Sequence, residues 1–241
     1  KVIHVKYNGM LEKNFALPKD ASIKEHKNKR ISISRRSNWQ KWNRKITIHK
    51  DIPSSGTAIT KATITAVEDY KKFASVTITS DSYMENEKIT TAESVMLFIG
   101  EGGFGIKPEK KERITPPKRE PDKVLEHKTL DNQAILYRIP SGDNNPLHVD
   151  PDFAKMAGFE KPILHGLCTY GITCKKIMES DFENNPLKVS EISARFSGPV
   201  TPGNTLEIHT WTEQGYTIAN VVEKETETTV LKDFILRKKE N

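Results

Sequence analysis

Hydrophobic and polar residues alternate along several segments of the first half of the chain. The alternation is clearest in Thr57–Val67, where every second residue from Ala58 to Ala66 would share one face of a strand. A period of two is typical of strands, because successive side chains point to opposite faces of a sheet. With turn residues between the segments, the pattern predicts an antiparallel meander of four strands, at Lys45–Ile52, Thr57–Val67, Phe73–Thr79 and Thr91–Phe98.

The second half combines strands with helices. Gln133–Ile139 favours a strand, whereas Asp150 as N-cap, Pro151 at the first helical position and Gly158 as a stop signal predict a short helix. A longer helix is predicted from His165 to about residue 180, on an apolar face spaced by three and four residues: Leu167, Tyr170, Gly171, Cys174, Ile177 and Met178. A turn at 201–204 interrupts the strands predicted after it, which are Lys188–Phe196, Thr205–Thr212, Thr217–Glu223 and Thr229–Leu236.

A proline- and lysine-rich segment divides the chain. Residues 107–121 disfavour helix and stay solvated, so they are predicted to link a first half, 1–106, to a second half, 122–241. The basic stretch Lys24–Arg36 has weak periodicity and is predicted to be partly disordered. The glycine-rich stretch Gly100–Gly105 lacks the dinucleotide-binding spacing, which predicts a flexible turn.

Composition and charge limit the kinds of protein and partner that the sequence is compatible with. Hydrophobic residues are 35% and charged residues 29%, which suits two small cores with much exposed surface. The net charge of +6 is compatible with nucleic acid, a membrane surface or an anionic small molecule. A nucleic-acid partner is disfavoured, since aromatic and basic residues are not interleaved, and no apolar run approaches the ~18 residues of a membrane span.

The chain begins at Lys1 without a signal-peptide pattern, so we expect it to be part of a longer protein. Its two cysteines, Cys168 and Cys174, lie six residues apart in one predicted helix, which disfavours a disulfide and indicates a reducing compartment. Cysteine and histidine residues lack the spacing of a zinc site, so no metal is expected.

One loop concentrates groups that can transfer protons. Asp143, Asn145 and His148 lie within six positions, and Pro146 between them restricts the backbone. An aspartate and a histidine held close together can share one water and supply general acid–base catalysis. The alternative from spacing alone is a capping turn before the short helix.

A second motif opens the longer helix. Gly166 permits close approach of a ligand to the backbone, where the first N–H groups of a helix have no internal partner and carry partial positive charge. A thioester oxygen that gains negative charge would be stabilised there. The alternatives are an ordinary helix start with glycines for packing, and a structural role for the neighbouring His165.

Together these motifs resemble a known family. The stretch Asp143–Pro151, the stretch Lys161–Thr169 and the later segment Arg195–Gly203 closely resemble the hydratase 2 domains of peroxisomal multifunctional enzymes type 2, which are MaoC-like hot-dog hydratases. The resemblance extends more loosely over residues 44–241. It implies an α+β fold of the double hot-dog class, in which two halves, each an antiparallel sheet around a helix, pack side by side.

The resemblance also implies a reaction and its residues. The reaction is the reversible syn addition of water to trans-2-enoyl-CoA, giving (3R)-3-hydroxyacyl-CoA in fatty acid β-oxidation. Asp143 and His148 would activate the water, Asn145 would orient it, and the Gly166 N–H would bind the thioester oxygen. Further candidates for substrate contacts are Phe196, the loop residues Asn144, Pro146 and Leu147, and, for a phosphate of coenzyme A, Lys71.

Several expectations rest on the resemblance alone. They are a homodimer, a peroxisomal location and an acyl-CoA thioester as substrate, with coenzyme A as part of the substrate and no separate cofactor. The chain departs from the family pattern at Pro140, an extra residue that is expected to bulge the strand before the site, and in residues 1–40, which lack the expected apolar helix. The competing functions are an acyl-CoA-binding domain without catalysis and a hot-dog thioesterase.

Overall fold

A computed structural model describes residues 2–5, 13–16, 38–105, 108 and 112–240, with side chains from residue 42 onward. The chain divides into two compact units, Lys1–Arg113 and Ile114–Asn241. The division falls inside the segment 107–121, whose role as a linker stays a prediction. The predictions of disorder in Lys24–Arg36 and of a missing helix in the first 40 residues lie mostly outside the described residues.

The first unit is built of antiparallel strands. A pair of short strands, β1 and β2, forms one sheet, and four longer strands form another in the order β4-β5-β6-β3. The predicted four strands are confirmed, but the order differs from a simple meander because β3 pairs with β6. The connection of residues 49–58 can reach about 33 Å, which easily spans the three strand spacings of about 14 Å. The strands are β1 Val2–Val5, β2 Lys13–Ala16, β3 Asn38–Ile48, β4 Ile59–Asp69, β5 Phe73–Met84 and β6 Glu87–Ile99.

A β-bulge in β4 changes which residues face the core. The pairing of β4 with β5 shifts between Ile64 and Ala66, so the alternation does not continue through the strand. Ile64 and Val67 are buried, whereas Ala62 is exposed and Ala66 only half-buried. The predicted shared face therefore holds for Thr60, Ala62 and Ile64 but is wrong for Ala66, because an extra residue in one strand reverses the phase of everything beyond it.

The core of the first unit forms where β4, β5 and β6 pair. A buried apolar cluster lies there, with partly buried side chains packed against it from Ile78, Met96 and Phe104. Phe104 extends from the glycine-rich stretch, which is held in place by Asp69: its carboxylate accepts the backbone N–H groups of Gly103 and Gly105. The cluster consists of Ile64, Val67, Ala74, Val76 and Phe98.

The second unit is a five-stranded antiparallel sheet in the order β8-β11-β10-β9-β7. The four strands predicted there are confirmed, as is the turn before β9, where the Asn204 N–H donates to the Thr201 carbonyl. Strand β7 was not predicted. The strands are β7 Lys123–Lys128, β8 Val189–Phe196, β9 Thr205–Glu213, β10 Tyr216–Glu223 and β11 Thr228–Lys238.

Helix α3, Gly166–Asp181, packs against four strands of this sheet and confirms the predicted long helix. The predicted buried face was partly wrong: Gly171 is exposed, whereas Thr169 and Thr173 are buried. Thr173 is tolerated inside because its hydroxyl bonds back to the helix, donating to the Thr169 carbonyl at 2.9 Å. In the part of the chain that the structure describes, no helix has the length and apolarity needed to cross a membrane.

Two short helices precede α3. Helix α2, Pro151–Met156, confirms the predicted cap, since the Asp150 carboxylate accepts the N–H groups of Asp152 and Phe153. Helix α1, Gln133–Ser141, overturns the strand predicted there. Its buried and half-buried residues follow the helical spacing of three and four residues and are Gln133, Ala134, Tyr137 and Arg138.

Pro140 therefore does not bulge a strand. It occupies the last turn of α1, where its missing N–H removes only one hydrogen bond, and the helix ends at Gly142 in the left-handed conformation, with φ of 66°.

Candidate active site

Asp143 directly follows the end of α1, which places it in the site. Immediately after Gly142, the Asp143 N–H donates to the Ser141 hydroxyl at 3.3 Å, and the Asp143 carboxylate accepts the Asn145 N–H at 3.2 Å. These local bonds hold a half-buried carboxylate at the start of the loop. The loop then closes into a 3₁₀ turn, Pro146–His148, which carries the predicted histidine.

The ring of His148 is oriented by a backbone bond. Its Nδ1 lies 2.7 Å from the carbonyl oxygen of Ile163. A carbonyl can only accept, so Nδ1 carries the proton, and in the neutral ring the lone pair is on Nε2.

His165 completes a cluster with the predicted pair. It is almost fully buried, with 2% of its surface exposed, and takes the N-cap position of α3. Its ring stacks on that of His148 with 3.7 Å between centroids and 27° between planes. One nitrogen of each ring and a carboxylate oxygen of Asp143 lie within 4.8 Å of one another. The structure thus brings Asp143 and His148 together, as predicted.

The side chains of Asp143, His148 and His165 lie close enough together to hold a metal ion. The directions of the two ring lone pairs, however, do not suit a metal site. Stacked rings direct their in-plane lone pairs alongside each other, whereas ligands of one ion must converge on a point. The Nδ1 of His148 is also engaged by Ile163. The arrangement is better suited to proton transfer through a water.

Gly166 and Phe196, which were predicted separately, are neighbours. A Cβ added to Gly166 would lie 3.0 Å from Cδ1 and 3.1 Å from Cε1 of the Phe196 ring. A larger residue would therefore push the ring by a few tenths of an ångström from its place across the first turn of α3. The N–H groups of Cys168 and Thr169 in this turn donate to the His165 carbonyl, and a helix N-terminus carries partial positive charge at Gly166.

A small, mainly apolar cleft of about 10 Å³ adjoins Gly166 and Phe196. One polar group in its wall is the Thr169 hydroxyl, a buried atom without a hydrogen-bond partner among the described residues. Cys168, one residue earlier, is not a candidate nucleophile, because burial raises the pKa of its thiol to about 11. The other residues lining the cleft are Leu164, Gly198, Val200, Val230 and Leu231.

The remaining loop candidates have structural contacts of their own. The Asn145 side-chain oxygen accepts the Leu147 N–H at 3.1 Å and so caps the 3₁₀ turn, while the Asn144 side-chain oxygen accepts a bond from Arg138 at 3.3 Å. The roles of Asn144, Asn145, Pro146 and Leu147 toward a substrate stay predictions. Lys71 belongs to the first unit, with an exposed side chain and φ of 66°, and its contact with a phosphate also stays a prediction.

The profile of the family described as "MaoC like domain" matches residues 112–233, half of the chain. The chain belongs to this MaoC-like family. The matched segment contains all the predicted site residues of the second unit, from Asp143 to Phe196.

Named relatives are similar to this chain over longer segments than the family profile matches. The chain is 44% identical over 171 residues to peroxisomal multifunctional enzyme type 2 of Mus musculus, covering 69% of this chain and 23% of that enzyme. It is 36% identical over 202 residues to "Enoyl-CoA hydratase 2, peroxisomal" of Arabidopsis thaliana, covering 79% of this chain and 65% of the relative. The MaoC-like chain thus spans about a quarter of the multifunctional enzyme and somewhat under two thirds of the plant protein.

Solved structures of MaoC-like proteins share the fold. Full-length peroxisomal multifunctional enzyme type 2 of Drosophila melanogaster matches with a TM-score of 0.76 and 34% identity, over 83% of this chain and 37% of that one. A MaoC-like dehydratase of Phytophthora capsici matches with a TM-score of 0.80 and 29% identity, over 84% of this chain and 70% of that one. They confirm the predicted α+β, double hot-dog class.

The site residue that sequence reasoning left out is His165. A structural histidine was one interpretation of it and no site role was assigned to it, although it directly precedes Gly166 in the second motif. That adjacency was the available signal. Its contact with a ring 17 residues earlier was not visible in the spacing, because it depends on how the loop before α3 folds back.

Proposed function

We propose that this chain is a 2-enoyl-CoA hydratase, a hydro-lyase of the hydratase 2 type. The observation that carries the proposal is the placement of Asp143 beside His148, with the His148 lone pair assigned to Nε2 by the Ile163 carbonyl. Relatives that share this chain's family carry the names enoyl-CoA hydratase 2 and peroxisomal multifunctional enzyme type 2, which supports the same substrate class here.

In the proposed reaction, Asp143 and His148 hold one water beside C3 of the enoyl group. His148 Nε2 takes a proton from the water as the water oxygen bonds to C3, and the electrons of the double bond move toward the thioester oxygen. The Gly166 N–H stabilises the resulting negative charge. The protonated His148 then delivers that same proton to C2 on the same face and returns to its neutral form, so that the sum is the addition of one water.

The finer parts of the proposal are the (3R) configuration of the product, a role in fatty acid β-oxidation, a peroxisomal location and a homodimer. The peroxisomal names of relatives support the location. The homodimer rests on the family resemblance. Light scattering at micromolar concentration should give twice the mass of one chain, and a mass of one chain would contradict the dimer.

A direct assay tests the reaction. Incubation with crotonyl-CoA and with trans-2-decenoyl-CoA should remove the enoyl absorbance without releasing a free thiol, and chiral analysis should find the 3R alcohol. Thiol release would instead support a thioesterase. Binding of the acyl-CoA with neither change would support a non-catalytic binding domain and would exclude the proposed hydratase.

A further inference from the structure

His165 and His148 come from different segments and meet face to face. The 3.7 Å between ring centroids is a stacking distance, and the 27° between planes keeps most of the two faces in contact. His165 is 2% exposed, and the Tyr137 ring lies 5.0 Å from it in a tilted arrangement. The His165 ring is therefore enclosed by aromatic groups from two other elements.

The segment that carries His165 holds His148 in two directions. The carbonyl of Ile163 accepts the His148 Nδ1–H at the edge of the ring, and His165, two residues later, covers the face. The Ile163 N–H donates to the Leu147 carbonyl at 3.4 Å, so the two backbones are also joined. A hydrogen bond alone allows the ring to tilt about the Nδ1–oxygen line, and the stacked face opposes that tilt.

We propose that His165 is a positioning residue that keeps the plane of His148 fixed, so that Nε2 stays aimed at the water shared with Asp143. The inference rests on the proposed hydratase function for its kinetic consequence. The role requires a flat ring in contact with His148 and does not require the nitrogen atoms of His165.

Matched substitutions test whether His165 acts through its flat ring or only through its volume. His165→Phe keeps a flat ring, whereas His165→Leu fills space without one. Cys168→Ala is the control for a loss of packing elsewhere in the first turns of α3, because Cys168 is buried, with 5% of its surface exposed. The Leu variant should lower kcat about 10²-fold, the scale of a small misplacement of a catalytic group. Its KM should stay within about threefold, because substrate contacts are retained.

The Phe variant should recover most of the lost kcat, and the Cys168→Ala variant should retain the wild-type kcat. Equal losses in the Phe and Leu variants would overturn positioning by the stacked ring and point to the nitrogen atoms instead. Full activity in the Leu variant would also overturn it. If the Leu variant does not fold, His165→Met supplies a flexible side chain of similar size for the same comparison.

An NMR measurement tests the inference independently of catalysis. Ring nitrogen shifts of His148 at pH 8 should show the Nδ1-protonated form in the wild type and in the Phe variant. The Leu variant should keep this tautomer, because the Ile163 carbonyl still accepts the Nδ1–H, but its His148 ring should be less ordered in side-chain NMR relaxation. Equal order of the His148 ring in the wild type and the Leu variant would contradict the inference even if the enzyme is active. A wild-type protein that hydrates no enoyl-CoA would instead contradict the proposed function, while the NMR comparison would still decide the role of His165.

Discussion

At the scale of single residues, Asp143 and His148 each have contacts within the loop and contacts in the side-chain cluster of the site. Their backbone and side-chain bonds shape the loop, as a capping turn would, and their side chains also lie in one cluster with His165. The loop contacts alone do not distinguish a structural from a catalytic role. Substitutions that change charge while keeping shape can do so.

Asp143→Asn and His148→Gln should each lower kcat by roughly 10²–10⁴, the usual contribution of positioned acid–base groups. The double variant should lose much less than the product of the two, because both groups act on one water. Steady-state kinetics and thermal unfolding of the same proteins provide the test. A purely structural loop predicts the opposite result: nearly unchanged turnover with a loss of about 1 kcal/mol in stability.

The two thiols of α3 should be slow to react. Burial raises the pKa of Cys168 and of Cys174 to about 11, so very little thiolate exists near neutral pH. Iodoacetamide at pH 8 should label the native protein slowly and the urea-unfolded protein quickly, as followed by intact mass. Rapid labelling of both thiols in the native protein would contradict this burial.

At the scale of elements, one charged contact ties the edge of the second sheet together. The Glu225 carboxylate, between β10 and β11, accepts the Thr205 N–H at 2.8 Å and pairs with Lys128 at 3.0 Å. Partial burial would by itself raise the pKa of Glu225, but the Thr205 N–H and the Lys128 ammonium outweigh it and lower the pKa to about 2. Three strands, β7, β9 and β10, are joined at this point.

The lowered pKa of Glu225 determines how its contribution to stability changes with pH. The folded pKa lies below the ordinary glutamate value of 4.5, so Glu225 stabilises the fold above about pH 4.5 and this contribution is lost as pH falls toward 2. Glu225→Gln should flatten the decline of unfolding free energy in that acid range, as measured by urea titration. Glu160→Gln, at an exposed carboxylate, is the control. An equal slope in wild type and Glu225→Gln would exclude the contribution.

At the scale of the whole molecule, the net charge of +6 suits a substrate that carries the phosphates of coenzyme A. If the proposed function holds, added salt should raise KM while leaving kcat nearly constant, because screening weakens the attraction but not the proton transfer. Hydration kinetics from low to about 0.5 M salt measure this. A KM independent of salt would show that the basic excess does not attract the substrate.

Local signals in the sequence were sufficient for much of the fold. The cap of α2 was predicted because Asp150 and Pro151 act on N–H groups only two or three residues away. Four of the five strands described in the second unit, β8 to β11, were predicted because their apolar side chains repeat over seven residues or more. Asp143, His148 and Gly166 were predicted as a site from the resemblance of two short motifs, which also indicated the MaoC-like family.

Other features depended on contacts between distant residues. Gln133–Ile139 is short and rich in apolar residues, so its pattern suits strand or helix, and packing of Ala134 and Tyr137 decided for helix α1. The bulge in β4 arises from its pairing with β5, and the face of α3 depends on which strands it meets.

The stack of His148 on His165 is likewise a tertiary contact between two loops. The sequence by itself determined the local caps, the periodic strands and the motif residues, because each depends on neighbours along the chain. Only the tertiary structure decided the ring geometry around His148, because that geometry depends on residues brought together by folding.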